Sequence, residues 1–266
     1  MLRPHSVSYG DKKERRDKLK DIFIYIHSAI FWSLAFFIAL IISAVSYISA
    51  LFIKDGHKKR ELYREGARLW GYILAGASMA KINISGLENI PRDTNVIFAP
   101  NHQSYLDIFV LFKYLPVPFR FVIMRKLFKF PIIGYHIGKS GFVSLDRKDR
   151  KKSIDTIHLI IDMLKNGESF VIFPEGKLTR DGTVGEFGRG ASIIIQRSRK
   201  PVVPIAIDGN FDILPKGAWV LRPSTVNIKI GKPVYFENYY DEINKATSSR
   251  LSEELRGMVV ELKGGN

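Results

Sequence analysis

The sequence predicts an α/β fold, a mixed sheet with flanking helices, preceded by an N-terminal helical membrane-association region. Two observations predict it. Residues 22–53 run thirty-two positions without Asp, Glu, Lys or Arg, and after Lys81 short β-branched runs alternate with helical stretches. A third observation narrows the chemistry: the 266 residues include no cysteine and carry 41 Lys+Arg against 26 Asp+Glu, a formal charge of +15. Without thiols, disulfides, thiolate metal sites, iron–sulfur clusters and a cysteine nucleophile are excluded. The positive balance points to an anionic partner: nucleic acid, a phospholipid surface or a phosphorylated substrate.

The N-terminal run is too long for an ordinary core helix or a signal peptide. As a helix it would measure about 48 Å, against about 30 Å for a hydrocarbon core and about 7–15 apolar residues in a signal peptide. Lys12, Lys13, Arg15, Arg16, Lys18 and Lys20 precede it, and Lys54, Lys58, Lys59 and Arg60 follow it. Cations at both ends place both on the cytoplasmic face of a membrane. The expected arrangement is monotopic, with a segment that enters one leaflet and returns or lies obliquely in it. Residues 61–80 spend their charges early (Glu61, Arg64, Glu65, Arg68) and are then uncharged around Trp70 and Tyr72. That pattern suits an interfacial helix or one packed beneath the following domain. The expected division is residues 1–80 as membrane-anchoring helices and 81–266 as the α/β domain.

Within that domain, strands are expected at 81–85, 95–99, 120–123, 141–144, 169–173, 202–207 and 225–230. Helices are expected at 105–114, 153–165, 190–197 and 247–262. Residues 113–152 hold eleven cations and two carboxylates, the densest basic stretch outside the membrane flanks. No zinc-finger spacing, RNP aromatics or basic zipper accompanies them, so nucleic acid is not the expected partner.

Several familiar motifs are absent. The stretch from Gly134 through Gly138-Lys139-Ser140 places three residues between its glycines where a P-loop needs four. Gly185-x-x-Gly188-x-Gly190 matches neither a P-loop nor a dinucleotide fingerprint, and no G-x-S-x-G elbow occurs. The six histidines show no ligand spacing, so no metal and no cofactor is expected.

Chemistry concentrates after the second strand, in Asn101-His102-Gln103-Ser104-Tyr105-Leu106-Asp107. Five residues on a regular helix rotate by about 500°, so His102 and Asp107 cannot both lie in one helix and touch. With Ser104 as N-cap, Asp107 becomes the third helical residue and its carboxylate can reach back to an imidazole in the turn. Ser104-x-x-Asp107 is equally a capping box, in which the carboxylate only satisfies helix N–H groups. The strand at 169–173 ends in Pro174-Glu175-Gly176, a second carboxylate at a strand's C-terminal end, where α/β sheets place ligands.

Asn101-His102-x4-Asp107, Gly141-Phe-Val-Ser-Leu-Asp-Arg147, Phe173-Pro-Glu-Gly176 and Val203-Pro204-Ile205 resemble, in order, the four motif blocks of the glycerolipid acyltransferases, specifically the 1-acylglycerol-3-phosphate (lysophosphatidate) acyltransferases. The resemblance covers residues 81–232. It implies that His102 is a general base, Asp107 its orienting partner, Arg147 a phosphate ligand, and Glu175 and Gly176 part of the acceptor site. Lys126 and Arg180 are further phosphate candidates. The third block departs from the family pattern, because Lys177-Leu178 intervene before Thr179-Arg180.

The implied partners are lysophosphatidate, an acyl-CoA or acyl carrier protein thioester, and the membrane phospholipid surface, at the cytoplasmic face of a cell membrane. An imidazole held by a carboxylate can deprotonate a glycerol hydroxyl, and donors such as N–H groups near a glycine turn would receive the thioester oxyanion. Three other readings remain: acylation of glycerol-3-phosphate or another lysophospholipid, a Ser104-dependent lipid hydrolase, and a non-catalytic membrane-surface binder.

Overall fold

The computed structural model describes residues 9–146 and 148–264. It opens with one unbroken helix, α1 (Tyr9–Leu51), which at about 1.5 Å per residue is roughly 64 Å long. The expected return within residues 22–53 does not occur. No glycine or proline lies between residues 11 and 55 to interrupt the hydrogen-bond ladder. The chain turns only beyond Leu51, where Asp55 Oδ1 accepts the N–H groups of His57 and Lys58 and caps α2 (Gly56–Ala77).

The return is made by α2, which packs back along α1. Trp70 Nε1 donates to Ala35 O at 2.9 Å, and His27 Nε2 lies 2.9 Å from Ala77 O. Tyr63, Ala67, Gly71, Leu74 and Ala75 of α2 are buried at helical spacing, while Leu69 and Tyr72 stay exposed. The helix therefore packs beneath the sheet and still shows an aromatic to the outside.

Seven strands follow at the seven expected places: β1 (Lys81–Ser85), β2 (Ile97–Pro100), β3 (Arg120–Met124), β4 (Val143–Leu145), β5 (Phe170–Val171), β6 (Val202–Asp208) and β7 (Thr225–Ile230). Their order is β1-β7-β6-β2-β5-β3-β4, parallel throughout except where β6 meets β7. The sheet is mixed, as expected. Central β2 is buried at every position, whereas β7 alternates exposed and buried, as a strand with one wet face must.

Helices cover both faces. Phe31, Ala35, Ala67 and Leu74 join Val96, Phe98 and residues of α3 (Leu106–Tyr114) in one core. Phe31 and Leu74 are essentially fully buried, and each such side chain contributes about 1.5–3 kcal/mol. The opposite core joins Ile97 and Val202 to α5 (Arg150–Lys165), α6 (Arg189–Ser198) and α8 (Lys245–Lys263). Two short helices, α4 (Ile133–Lys139) and α7 (Asn210–Ile213), escape the sequence pattern. In α4, two glycines in seven residues give little intrinsic helical signal, and packing against α2 supplies what propensity does not.

Candidate active site

Because β2, β3, β4, β5 and β6 run parallel, their C-terminal ends share one edge. Past Pro100, the Asn101 side chain takes over the ladder. Its Oδ1 accepts Ile207 N–H at 2.7 Å and its Nδ2 donates to Ile207 O at 2.9 Å. The amide does what another strand residue would do, and it fixes the turn that follows against β6.

Helix α3 begins at Leu106, flanked by Tyr105 rather than Ser104, so Asp107 is the second helical residue and not the third. The carboxylate still reaches back. Oδ2 lies 2.9 Å from His102 Nδ1 and accepts the N–H groups of Gln103 at 2.7 Å and Ser104 at 2.9 Å. Oδ1 accepts Asn210 Nδ2 at 2.7 Å. The two sequence readings of Asp107 are therefore one arrangement, since the same oxygen satisfies turn N–H groups and holds the imidazole. As Oδ2 is already an acceptor of two N–H groups, Nδ1 is the donor, leaving the Nε2 lone pair for chemistry. Among the described residues Nε2 has no hydrogen-bond partner, and the side chain is 15% exposed. The ring also stacks on Phe173, centroids 3.8 Å apart and 21° between planes.

Glu175 is buried beside this pair, with no hydrogen bond to the imidazole among the described residues. Its Oε1 accepts His102 N–H at 2.8 Å and its Oε2 accepts Gly185 N–H at 3.2 Å. Burial pushes the Glu175 carboxyl above its usual range, opposed by those two N–H groups. Gly176 turns the chain at φ +67°, and its N–H is spent on Phe173 O at 2.9 Å. Gly185 is spent likewise, so neither glycine N–H is free to meet an oxyanion. A Cβ on Gly185 would stand 2.9 Å from Glu175 Oε2, which explains why a residue without one sits there.

The inserted Lys177-Leu178 is absorbed without breaking the loop. Leu178 is buried, and Thr179 N–H donates to His102 O at 2.9 Å. Arg180 and Lys126 are both exposed, Lys126 in the 3-10 turn after β3 and Arg180 in the loop between β5 and α6. Arg147 lies outside the described residues. Ser104 Oγ donates to Leu214 O at 2.7 Å and is fully buried, so its proton is directed away from the imidazole.

Two functional contributors had no sequence signal, Asn210 on Asp107 and Arg256; Phe173, which opens the third motif block, was legible there, but its place under the imidazole was not. Arg256 of α8 donates from Nε to Gly185 O at 3.0 Å and from a terminal nitrogen to Val184 O at 2.9 Å. Lys263 reaches Gly182 O at 2.7 Å, which also accepts Gln103 Nε2 at 2.7 Å. The last helix thus fastens the loop that seats Glu175.

The sequence model of the Acyltransferase family matches residues 81–208, the segment that carries all of the site except α8 and Asn210. A 1-acyl-sn-glycerol-3-phosphate acyltransferase of Chlamydomonas reinhardtii is 30% identical over 244 residues, spanning 89% of this chain and 73% of that one. The chain belongs to the acyltransferase family. A chloroplastic 1-acyl-sn-glycerol-3-phosphate acyltransferase of Arabidopsis thaliana is 34% identical over 240 residues, 90% of this chain. The chain spans 65% of that relative and 52% of a chloroplastic relative from Brassica napus. Among solved structures, the 1-acyl-sn-glycerophosphate acyltransferase of Thermotoga maritima aligns over 92% of this chain and 98% of its own, with a TM-score of 0.76 and 26% identity. That similarity extends beyond the family segment to the N-terminal helices.

Proposed function

We propose that this member of the family transfers a fatty acyl chain from a thioester to the 2-hydroxyl of 1-acyl-sn-glycerol-3-phosphate, making phosphatidate. The observation that carries the reading is the His102–Asp107 pair with Nε2 unpartnered at the sheet edge. The acceptor hydroxyl gives its proton to Nε2 as its oxygen attacks the thioester carbonyl. The tetrahedral oxyanion collapses, the C–S bond breaks, and the thiolate leaves, with the imidazolium returning its proton. Asp107 stabilises that imidazolium, and Phe173 holds the ring plane. No acyl-enzyme is needed, and the direction of the Ser104 hydroxyl supports direct transfer over a serine hydrolase. Arg147 is assigned to the acceptor phosphate on the strength of the second motif block, because a guanidinium fork matches phosphate oxygens, with Lys126 and Arg180, exposed cations outside the four blocks, as weaker candidates.

The names of the relatives favour lysophosphatidate over glycerol-3-phosphate as acceptor. A membrane location is supported by α1, a helix long and apolar enough to cross a bilayer by length and composition. Its flanking cations support a monotopic seat on the cytoplasmic face. Residues 1–80 are then the membrane-facing part and 81–266 the catalytic part, sharing one core.

The test is turnover of the detergent-purified full chain with lysophosphatidate and either acyl-CoA or acyl carrier protein thioesters, products read by mass. Phosphatidate is expected, and His102→Ala is expected to lower its rate by at least about 100-fold with an unchanged melting temperature. Unchanged turnover in that variant would refute the assignment of the base.

A further inference from the structure

Away from the catalytic edge, a cleft of about 380 Å³ opens where the end of α1 meets the first turns of α2 and the outer face of α4. Its polar lining is Tyr47, Tyr63 and Tyr135 with Lys59, Arg60 and Lys139, and no carboxylate lines it. Lys139 precedes β4, whereas His102 follows β2, so the cleft lies toward the opposite edge of the sheet from the imidazole.

The three cations make no ion pair among the described residues. The carboxylates nearest in sequence are engaged elsewhere: Asp55 caps α2, while Glu61 faces His57 at 3.7 Å and Arg64 at 3.5 Å. Lys139 Nζ sits 5.3 Å above the Tyr135 ring. That ring packs edge-on against Tyr47 and Tyr63, at 6.0 Å and 6.2 Å, so the aromatic wall is one braced unit. Burial and the neighbouring Tyr135 push the Tyr63 phenol up to about 12, which keeps it protonated.

A concavity of cations and phenols without a carboxylate suits a ligand made of acceptors, a phosphate group. Its surroundings indicate how that phosphate arrives. The adjacent end of α1 presents Leu51 at 64% and Phe52 at 84% exposure, with Ile48 and Val45 in line behind them. An apolar strip leading into a cationic, tyrosine-walled cleft matches the order of an acyl chain and a headgroup at a bilayer surface.

We infer that this cleft is a seat for the phosphate of one anionic phospholipid, separate from the reacting lipid and fixing how the protein lies on the bilayer. The inference does not depend on the acyl-transfer reading, because it is read out by binding alone.

The full-length protein would be floated on phosphatidylcholine vesicles with and without phosphatidylglycerol, at constant ionic strength. Lys59→Gln/Arg60→Gln/Lys139→Gln would be compared with Lys216→Gln/Lys232→Gln/Lys245→Gln, which removes equal charge from exposed positions elsewhere. The cleft variant is expected to lose at least about tenfold in affinity for phosphatidylglycerol vesicles, with a ceiling of roughly 100-fold from three cations at about fivefold each, while the control loses far less. Tyr135→Phe, which keeps the ring, is expected to weaken the same binding by a few-fold. Circular dichroism melts exclude misfolding. Equal losses in the two triple variants would overturn the site in favour of diffuse attraction. Saturable binding of inorganic phosphate at the cleft, with phosphatidylglycerol flotation unaffected by the cleft variant, would overturn the lipid assignment in favour of a free phosphate.

Discussion

The two buried carboxylates at the catalytic edge are held in opposite ways. Asp107 takes its bonds from His102, Gln103 and Ser104, all within five residues, plus one long-range donor, Asn210. Glu175 takes one bond from afar and one from a loop that is itself held from afar: His102 N–H lies 73 residues away in sequence, and Gly185, ten residues on, sits on a loop fastened by Arg256, 71 residues beyond it. The first carboxylate is set by its own turn. The second depends on the whole domain being closed around it. A local device is rigid and cheap to specify, whereas a loop held by a distant helix can be loosened without unfolding the sheet.

The sharpest way to test the local half is Asp107→Asn. The backbone donors can still find an amide oxygen, and Asn210 can turn its own oxygen, which is buried without a partner, toward the new NH2 group. Shape is kept and only the charge behind the imidazolium is lost. Turnover is expected to fall about 10- to 100-fold, the worth of a hydrogen bond to a charged group, with little change in melting temperature. A large stability loss with proportionate activity loss would reduce Asp107 to a cap.

Arg256→Ala tests the distant half and should cost less. Releasing Val184 and Gly185 is expected to lower kcat/KM about three- to tenfold, consistent with one or two ordinary hydrogen bonds, and Arg256→Lys is expected to recover part of it. Hydrogen exchange at the Gly185 amide should rise in parallel. Unchanged exchange would show that the loop holds itself.

The smallest expected effect concerns pH. Glu175 has its carboxyl raised by burial, so between its unfolded value and its higher folded value the native state binds more protons than the unfolded chain. Stability contributed by this group is present below that window and is lost as pH rises through it. Glu175→Gln should abolish this one component, so the difference in stability between the two proteins should vary with pH only there. Asp181, held down to about 2 by the Thr183 and Thr179 hydroxyls and the Thr183 N–H, works in the other direction and cancels in the comparison.

The same contrast explains what could be read from the sequence. All seven strands were legible because β-branched and aromatic runs bounded by turn residues signal themselves. His102 and Asp107 were legible as a pair because five residues in a strand-to-helix turn leave few ways to arrange them. Asn210 and Arg256 were not, nor was the stacking of Phe173 on His102, because each acts across more than 70 residues and looks, in its own neighbourhood, like ordinary turn, surface or core. Of the two arrangements expected for α1, a return within the leaflet and an oblique helix, the return was misread for a different reason. Matching cationic flanks suggested a bend inside the apolar run, but the absence of glycine and proline there outweighed it, and the bend moved to Asp55.

The docking of α1 has a consequence for the order in which the protein matures. Ser28 Oγ receives Leu221 N–H and Trp32 Nε1 donates to Trp219 O, partners 193 and 187 residues later in the chain. These partners leave the ribosome long after α1, so the part of the helix around Ser28 and Trp32 waits for them even after Ala35 has met Trp70 of α2. At roughly 5–20 residues per second that interval lasts on the order of 10–40 seconds. In the membrane seat proposed above, the bilayer would shield this part of the helix meanwhile, so the contact that brings lipid within reach would also protect the folding chain.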